Sequence, residues 1–515
     1  MEVKDRIISK STFLAGLQCP KYLWYLVNDK TSIPEPTQRI QFIFDQGHLV
    51  EEYAKKLFPE GIEIGYEGNF EENLERTASE LNLQKPLFEA GIISEGKYCK
   101  LYSKADILVP SEADMWDIVE VKSSTGIKEI NLYDVAFQRY CLEKAGLNIG
   151  KCYLIYINNQ YIRDGEINPE QLFTKTDVTA EVGELSVEIE KNVLQILKII
   201  TNDNCPPEIN VGRHCENPFN CPLKESCWSI LPENSVFDLY AGMDKAIKLF
   251  NGSRITLIKD IPDNFSLNIK QKIQVECVKN SSTKVEREAI SKFLEKFKYP
   301  LYFLDFETFA TAIPLFDGTK PYQNVPFQFS LHVLRNSNSE PEHYSFLYDG
   351  RGDPRPDFIK ALKTNIGSNG SIVVYYELFE KSILKELAEA LPAYSDWISS
   401  IIGRIVDLYE PFGKFHYYHY KQKGSASLKR VLPALTEKNY DNMEISNGEL
   451  ASISFLTASG LLKKLAPDKL SNLKSINHIP DKEVIRIRKC LEEYCKLDTE
   501  GLIHILKELE KIVKM

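Results

Sequence analysis

The sequence predicts a mixed α/β protein with two sheet-bearing parts joined by a helical connector. Three observations predict it. Two β-rich runs, residues 105–109 and 116–122, flank a polar stretch and lead into a helix-like segment at 134–140. A second apolar run, residues 302–308, alternates its side chains around Asp305 and Glu307. A strongly periodic, helix-like segment carries Tyr494 and Asp498 near the C-terminus. The three parts fall at residues 1–230, 231–298 and 299–515.

Composition narrows the class. A chain of 515 residues has room for about two to four domains. It is 43% hydrophobic and 26% charged, as in soluble globular proteins. The net charge of −10 means that a nucleic-acid site must be a local basic groove or be bridged by metal ions. No apolar run reaches membrane-spanning length. The charged residues 1–10 lack the apolar core of a secretory signal. The expected location is the cytoplasm, with no membrane partner. Disulfides are rare there, so clusters among the 11 cysteines point to metal or iron–sulfur ligation.

In the first part, Ser11 is placed to cap a helix whose apolar period runs to Leu26, with Cys19 and Pro20 inside it. His48 falls on the first turns of a second helix-like segment. Residues 105–122 read as a hairpin turning at 110–114. The hairpin brings Asp106 near Glu120 and Lys122, and the last two share a face because one residue separates them. An aspartate and a glutamate together bind Mg²⁺ or Mn²⁺ through oxygen. A lysine beside them can orient or deprotonate an attacking water and stabilise charge on a phosphate. The bare pattern is weak. The flanking Val119 and Val121, the upstream His48 and the downstream helix with Gln138 strengthen it.

These positions resemble the RecB-like PD-(D/E)XK nucleases over residues 1–230. The resemblance implies a restriction-endonuclease-like fold. It implies that His48, Asp106 and Glu120 ligate the metal, that Lys122 serves the nucleophilic water, and that Gln138 supports the site. Tyr140 follows Gln138 more closely than in the commonest form of that motif.

Cys215, Cys221 and Cys227 have five residues between neighbours and lie in a turn-rich segment. Such a triplet suits zinc or iron–sulfur ligation, and needs a fourth ligand. Iron–sulfur members of the RecB-like class place one cysteine at the start of the domain and three at its end. The resemblance therefore implies a 4Fe-4S cluster on Cys19, Cys215, Cys221 and Cys227, which staples the domain's two ends together. Cys205 is the competing fourth ligand, and with the triplet it would make a local zinc site. Cys99, Cys141, Cys152 and Cys277 read as ordinary thiols.

The connector carries helix-like pieces at 236–250 and 269–278 and no constellation of acids. It reads as a structural spacer.

In the last part, Asp305 and Glu307 point to one side of a strand while Leu304 and Phe306 point into a core. Two carboxylates side by side in an apolar strand repel each other and resist desolvation. A divalent metal removes both problems. Further acids are Glu380, where a strand passes into a helix, and Asp407, at the end of another apolar strand. Tyr494 and Asp498 are four apart on one helical face. There the tyrosine can hold or polarise the attacking water while the carboxylate holds the metal.

This order resembles the tyrosine-bearing branch of the DEDD exonucleases, which have a ribonuclease-H-like fold. The likeness covers most of residues 301–510. Asp305 and Glu307 match the first motif, Tyr494 and Asp498 the third, and residues 424–429 the helix start that follows the Asp407 strand. The second motif departs from the pattern. It has Tyr376 and Glu380 where the family has asparagine and aspartate. Glu380 is the favoured substitute ligand and Asp407 the alternative.

Joined in this order, the halves resemble a bacterial family in which a RecB-like nuclease precedes a DEDD-type domain. The implied activity is metal-dependent hydrolysis of phosphodiester bonds in DNA at two sites. The C-terminal site is expected to work from 3′ single-stranded ends. The alternatives are a nucleic-acid-binding scaffold with one inactive nuclease fold, and an RNA-processing exonuclease. Between residues 413 and 430, Lys414, Lys421, Lys423, Lys429 and Arg430 interleave with Phe415, Tyr417, Tyr418 and Tyr420. That segment is a candidate strand-binding loop or a solvated surface loop.

Overall fold

Pro20 sets the geometry of the chain's first ordered turn. Proline disfavours the helical region for the residue before it, and Cys19 is extended, with φ −158° and ψ 119°. The expected single helix is therefore two, Lys10–Gln18 and Pro20–Asn28, with Pro20 as the first residue of the second. The cap is Ser9 rather than Ser11. Its side chain accepts from the Thr12 backbone N–H.

The structure is a computed structural model that describes residues 6–65, 70–96, 98–202, 205–465, 473 and 479–515. Residues 1–5 of the charged N-terminal stretch lie outside the described residues. The protein is mixed α/β. It divides into two units, the first built from residues 1–230 with Thr311–Tyr322, the second from Leu231–Ala310, Gln323–Leu465 and the C-terminal helix.

The first unit holds strands β1 (Ile7–Ser9), β2 (Ile62–Glu63), β3 (Leu87–Glu95), β4 (Lys100–Pro110), β5 (Met115–Lys122), β6 (Asn148–Ile157) and β7 (Phe173–Asp177). The sheet order is β2-β3-β4-β5-β6-β7, and β1 adds to β4 in parallel. β4 and β5 form the expected antiparallel hairpin, with Ile107 opposite Val119. β5 and β6 are parallel, joined through the helix Glu129–Lys144. Val135, Phe137, Leu108, Ile118 and Leu154 meet in the core. Phe13 of the first helix stacks on Phe137 at 4.5 Å.

The second unit holds β8 (Thr283–Val285), β9 (Leu301–Phe309), β10 (Val325–Leu334), β11 (Glu342–Leu347), β12 (Ser371–Val374), β13 (Ile405–Asp407) and β14 (Tyr417–His419). Its main sheet runs β11-β10-β9-β12-β13. The first two pairings are antiparallel and the last two parallel. Leu304 and Phe306 join Phe329, Leu331, Phe358, Ile383 and Leu384 in one core. The connector is part of this unit, because β8 pairs with β14. Among the described residues, no helix is long and apolar enough to cross a membrane.

Candidate active sites

Strand alternation puts Asp305 and Glu307 on the face of β9 opposite the apolar core, where the long helix Asp481–Lys514 packs. One oxygen each from Asp305 and Glu307 and the Cys495 sulfur lie within 4.8 Å of one another. Asp498, one turn on from Tyr494, is 5% exposed. Burial pushes the carboxyls of Asp305 and Glu307 well above their ordinary range, and the Asp498 charge pushes further. Burial likewise raises Asp498, to about 6. The Tyr440 hydroxyl donates to Asp498 Oδ1 at 2.5 Å. The Lys429 ammonium lies over the Tyr440 and Tyr494 rings at 5.6 and 5.3 Å, donates to the Ser446 carbonyl, and faces the three acids.

Glu380 and Asp407 have different surroundings. Glu380, on the first turn of the helix Glu377–Ala390, is 2% exposed and close enough to Asp305 and Glu307 to raise both. Its own carboxyl is pushed up to about 8 by burial, and among the described residues Oε2 has no hydrogen-bond partner. Asp407 lies close enough for its charge to add to the rise at Glu380. Its Oδ1 accepts from the Tyr376 N–H at 2.8 Å and the Tyr409 N–H at 3.0 Å. Those bonds hold Tyr376 in the left-handed region, at φ 76°, just ahead of the Glu380 helix. Buried acids that repel one another, one with an orphaned oxygen, fit a divalent cation.

In the first unit, Asp106, Glu120 and Lys122 come together as expected. Lys122 Nζ lies 2.6 Å from Glu120 Oε1 and 2.6 Å from Asp134 Oδ2. Gln138 donates to Glu120 Oε2 at 2.7 Å and to Asp134 Oδ1 at 3.0 Å, and its side-chain Oε1 is buried without a partner among the described residues. Asp106 Oδ2 accepts from the Val121 N–H at 2.8 Å. Burial alone would raise Glu120, but the Lys10 and Lys122 ammoniums hold its carboxyl well below the usual range. Burial and the Glu120 charge raise Asp106. Burial opposes the Lys122 charge, yet Asp134 and Glu120 raise its pKa, so it stands as an ammonium suited to orienting and charge stabilisation. His48 is not drawn into this group. Its ring is 55% exposed, with Nδ1 3.5 Å from Glu51.

Cys19, Cys215, Cys221 and Cys227 line one small cavity with Tyr22, His214 and Leu223. Cys205 is exposed and outside it. Burial pushes the Cys221 thiol up to about 11, with the charges of Cys19, Cys215 and Cys227 adding to it. Four free thiols around one cavity fit a soft metal or cluster. A zinc tetrahedron with bonds near 2.3 Å would hold its sulfurs about 3.8 Å apart. Among the described residues, no three of these cysteines offer sulfurs all within 4.8 Å of one another.

A family model described as a domain of unknown function (DUF2779) matches residues 302–427. The matched span takes in Asp305, Glu307, Glu380 and Asp407, and ends before Lys429. The chain is 24% identical over 229 residues to "Uncharacterized protein MG366 homolog" of Mycoplasma pneumoniae, covering 41% of this chain and 32% of that protein. It is 25% identical over 334 residues to "Uncharacterized protein UU173" of Ureaplasma parvum, covering 62% and 46%. The chain spans less than half the length of these relatives. A solved structure titled "Crystal structure of SSO0001" matches at 13% identity and TM-score 0.25, over 44% of this chain and 89% of that one, too low to bear on the fold.

The 413–430 segment is not a stacking loop. Phe415, Tyr417 and Tyr418 are buried, and Phe415 stacks on Tyr418 at 4.6 Å. Lys414 pairs with Glu410 and Lys423 with Glu233. The β8–β14 pairing turns these rings inward, which the local sequence does not announce. Lys10, Asp134, Tyr440 and Cys495 are site residues that sequence reasoning missed. Asp134 carried a signal, because it lies four residues before Gln138 on the same helical face. Cys495 carried one too, three residues before Asp498 on the same helix, whereas Lys10 and Tyr440 reach their sites only through tertiary packing.

Proposed function

We propose that the protein is a metal-dependent nuclease with two active sites, a RecB-like PD-(D/E)XK site in the first unit and a DEDD-type site on a ribonuclease-H-like sheet in the second. The carrying observation is that Asp305 and Glu307 offer oxygens within 4.8 Å of each other, near the buried carboxyls of Glu380 and Asp498, all four raised by burial. The β11-β10-β9-β12-β13 order, antiparallel then parallel, supports the ribonuclease-H-like reading. Mg²⁺ or Mn²⁺ held by those four carboxylates would supply Lewis-acid activation of a water and charge stabilisation on the phosphodiester. Tyr494 orients that water, and Lys429 presents positive charge to the phosphate. In the first unit Asp106 and Glu120 would hold the metal, Lys122 serves the water, and Gln138 fixes Glu120 and Asp134. The cysteine cavity would hold a 4Fe-4S cluster, a reading supported by Cys19 lining it with Cys215, Cys221 and Cys227.

The substrate is DNA in this reading, with single-stranded 3′ ends at the second site. The test is cleavage of labelled single- and double-stranded DNA and RNA by the intact chain with Mn²⁺. Lys122→Ala and Asp305→Ala are expected to abolish distinct activities. A double variant that cuts as well as wild type would end the enzyme reading and leave the scaffold. Preference for RNA ends would make it an RNA-processing exonuclease.

A further inference from the structure

The cysteine cavity and the first unit's acidic site are joined by one short helix. Lys10 is its first residue, and Cys19 is the residue that caps its end. At the near end, Lys10 Nζ lies 2.9 Å from Glu120 Oε1, 3.7 Å from Asp106 Oδ1 and 3.7 Å from Asp134 Oδ1. A long, rotamer-rich side chain is thus fixed among three buried carboxylates, and its ion pairs with them offset the entropy and desolvation this costs. At the far end, Gln18 is buried and its amide donates to the carbonyls of His214, at 2.9 Å, and Phe219, at 2.6 Å. Those carbonyls belong to the segment that carries Cys215 and Cys221. Just ahead of the helix, Ile7–Ser9 pairs with β4, and between the helix's ends Phe13 stacks on Phe137, the neighbour of Gln138.

We propose that Lys10 is a positioning residue of the first active site, neutralising and orienting Glu120, Asp106 and Asp134, and that the cysteine cavity holds it there through the helix Lys10–Gln18. The inference rests on the nuclease reading above. It makes chemistry at the acidic site depend on what the four cysteines bind, although none of them reaches that site.

Two arms test it on the full chain. In an Asp305→Ala background, which leaves the first site alone, Lys10→Met lowers the cleavage rate about 10- to 100-fold and Lys10→Arg recovers part of it. The Mn²⁺ concentration for half-maximal rate falls in Lys10→Met, because the acids lose a competing cation, whereas simple loss of structure would raise it. Iron content stays at the parental level. A Lys10→Met protein with the parental rate and Mn²⁺ dependence overturns the positioning role. The second arm needs no activity. Acetylation of Lys10 by acetic anhydride, followed by mass spectrometry, speeds up about tenfold in Cys221→Ser and in Gln18→Ala as the helix loosens. Equal labelling in all three proteins overturns the link to the cysteines. If the Asp305→Ala parent itself does not cleave, the nuclease reading fails for this site, and the labelling arm still decides whether the cysteines hold Lys10.

Discussion

The Tyr440 hydroxyl donates a 2.5 Å hydrogen bond to Oδ1 of Asp498, 58 residues away in sequence. Both groups are buried, and the Asp498 charge acts on Asp305 and Glu307. An outer partner of this kind fixes which oxygen a ligating carboxylate presents.

Tyr440→Phe removes that donor and little volume. Mn²⁺ affinity of the second site is expected to fall about 10- to 100-fold, with the fold retained. Manganese titration followed by electron paramagnetic resonance, in a Lys122→Ala background, checks it. Unchanged affinity would make the tyrosine a packing residue only.

The second site also predicts a pH dependence. Glu380 and Asp498 are held near 8 and 6 by burial, above their ordinary carboxylate values. A raised carboxyl binds its proton more tightly folded than unfolded, so the native state holds more protons between the two values. Stability then falls as pH rises through that window, from about 4 to 8. In chelator, Tm should drop across this range, and Glu380→Gln should flatten the drop and raise Tm at pH 8. Calorimetry with and without Mg²⁺ reads it. A Glu380→Gln protein that melts like wild type at both ends of the range would refute the buried-charge account.

How much of this was legible beforehand differs between the two sites. The alternation in 302–308 gave the acidic face of β9 and its apolar reverse, because a strand's period is local. The Tyr494–Asp498 pair was equally legible from helical spacing. Asp106, Glu120 and Lys122 followed from one hairpin. Lys10 and Tyr440 were not readable, since each reaches its acids across the fold from a segment with no acid pattern of its own. The rings of 415–418 misled for the same reason: their burial depends on β8, more than a hundred residues earlier.

Those rings carry a stability prediction. Tyr418 is fully buried, and its hydroxyl accepts from the Gly424 N–H at 3.0 Å. Tyr418→Ala should cost about 3–5 kcal/mol, as large-to-small core changes do. Urea unfolding monitored by circular dichroism measures it. A loss under about 1 kcal/mol would return this ring to the surface reading.

The cysteine assignment separates two positions that the sequence left competing. Cys19 lines the cavity with the triplet, and its thiol is raised by burial with Cys215 and Cys227 close by. Cys205 is exposed and does not line the cavity. Cys19→Ser should therefore strip iron and the brown chromophore from protein purified without oxygen, while Cys205→Ser keeps both. Losing a ligand also releases the far end of the helix Lys10–Gln18, so Cys19→Ser should melt at lower temperature than Cys205→Ser. Metal analysis alongside visible absorption decides the matter. One zinc and no iron in the wild-type chain, retained in Cys19→Ser and lost in Cys205→Ser, would place the ligands within the local segment and remove the staple between the unit's two ends.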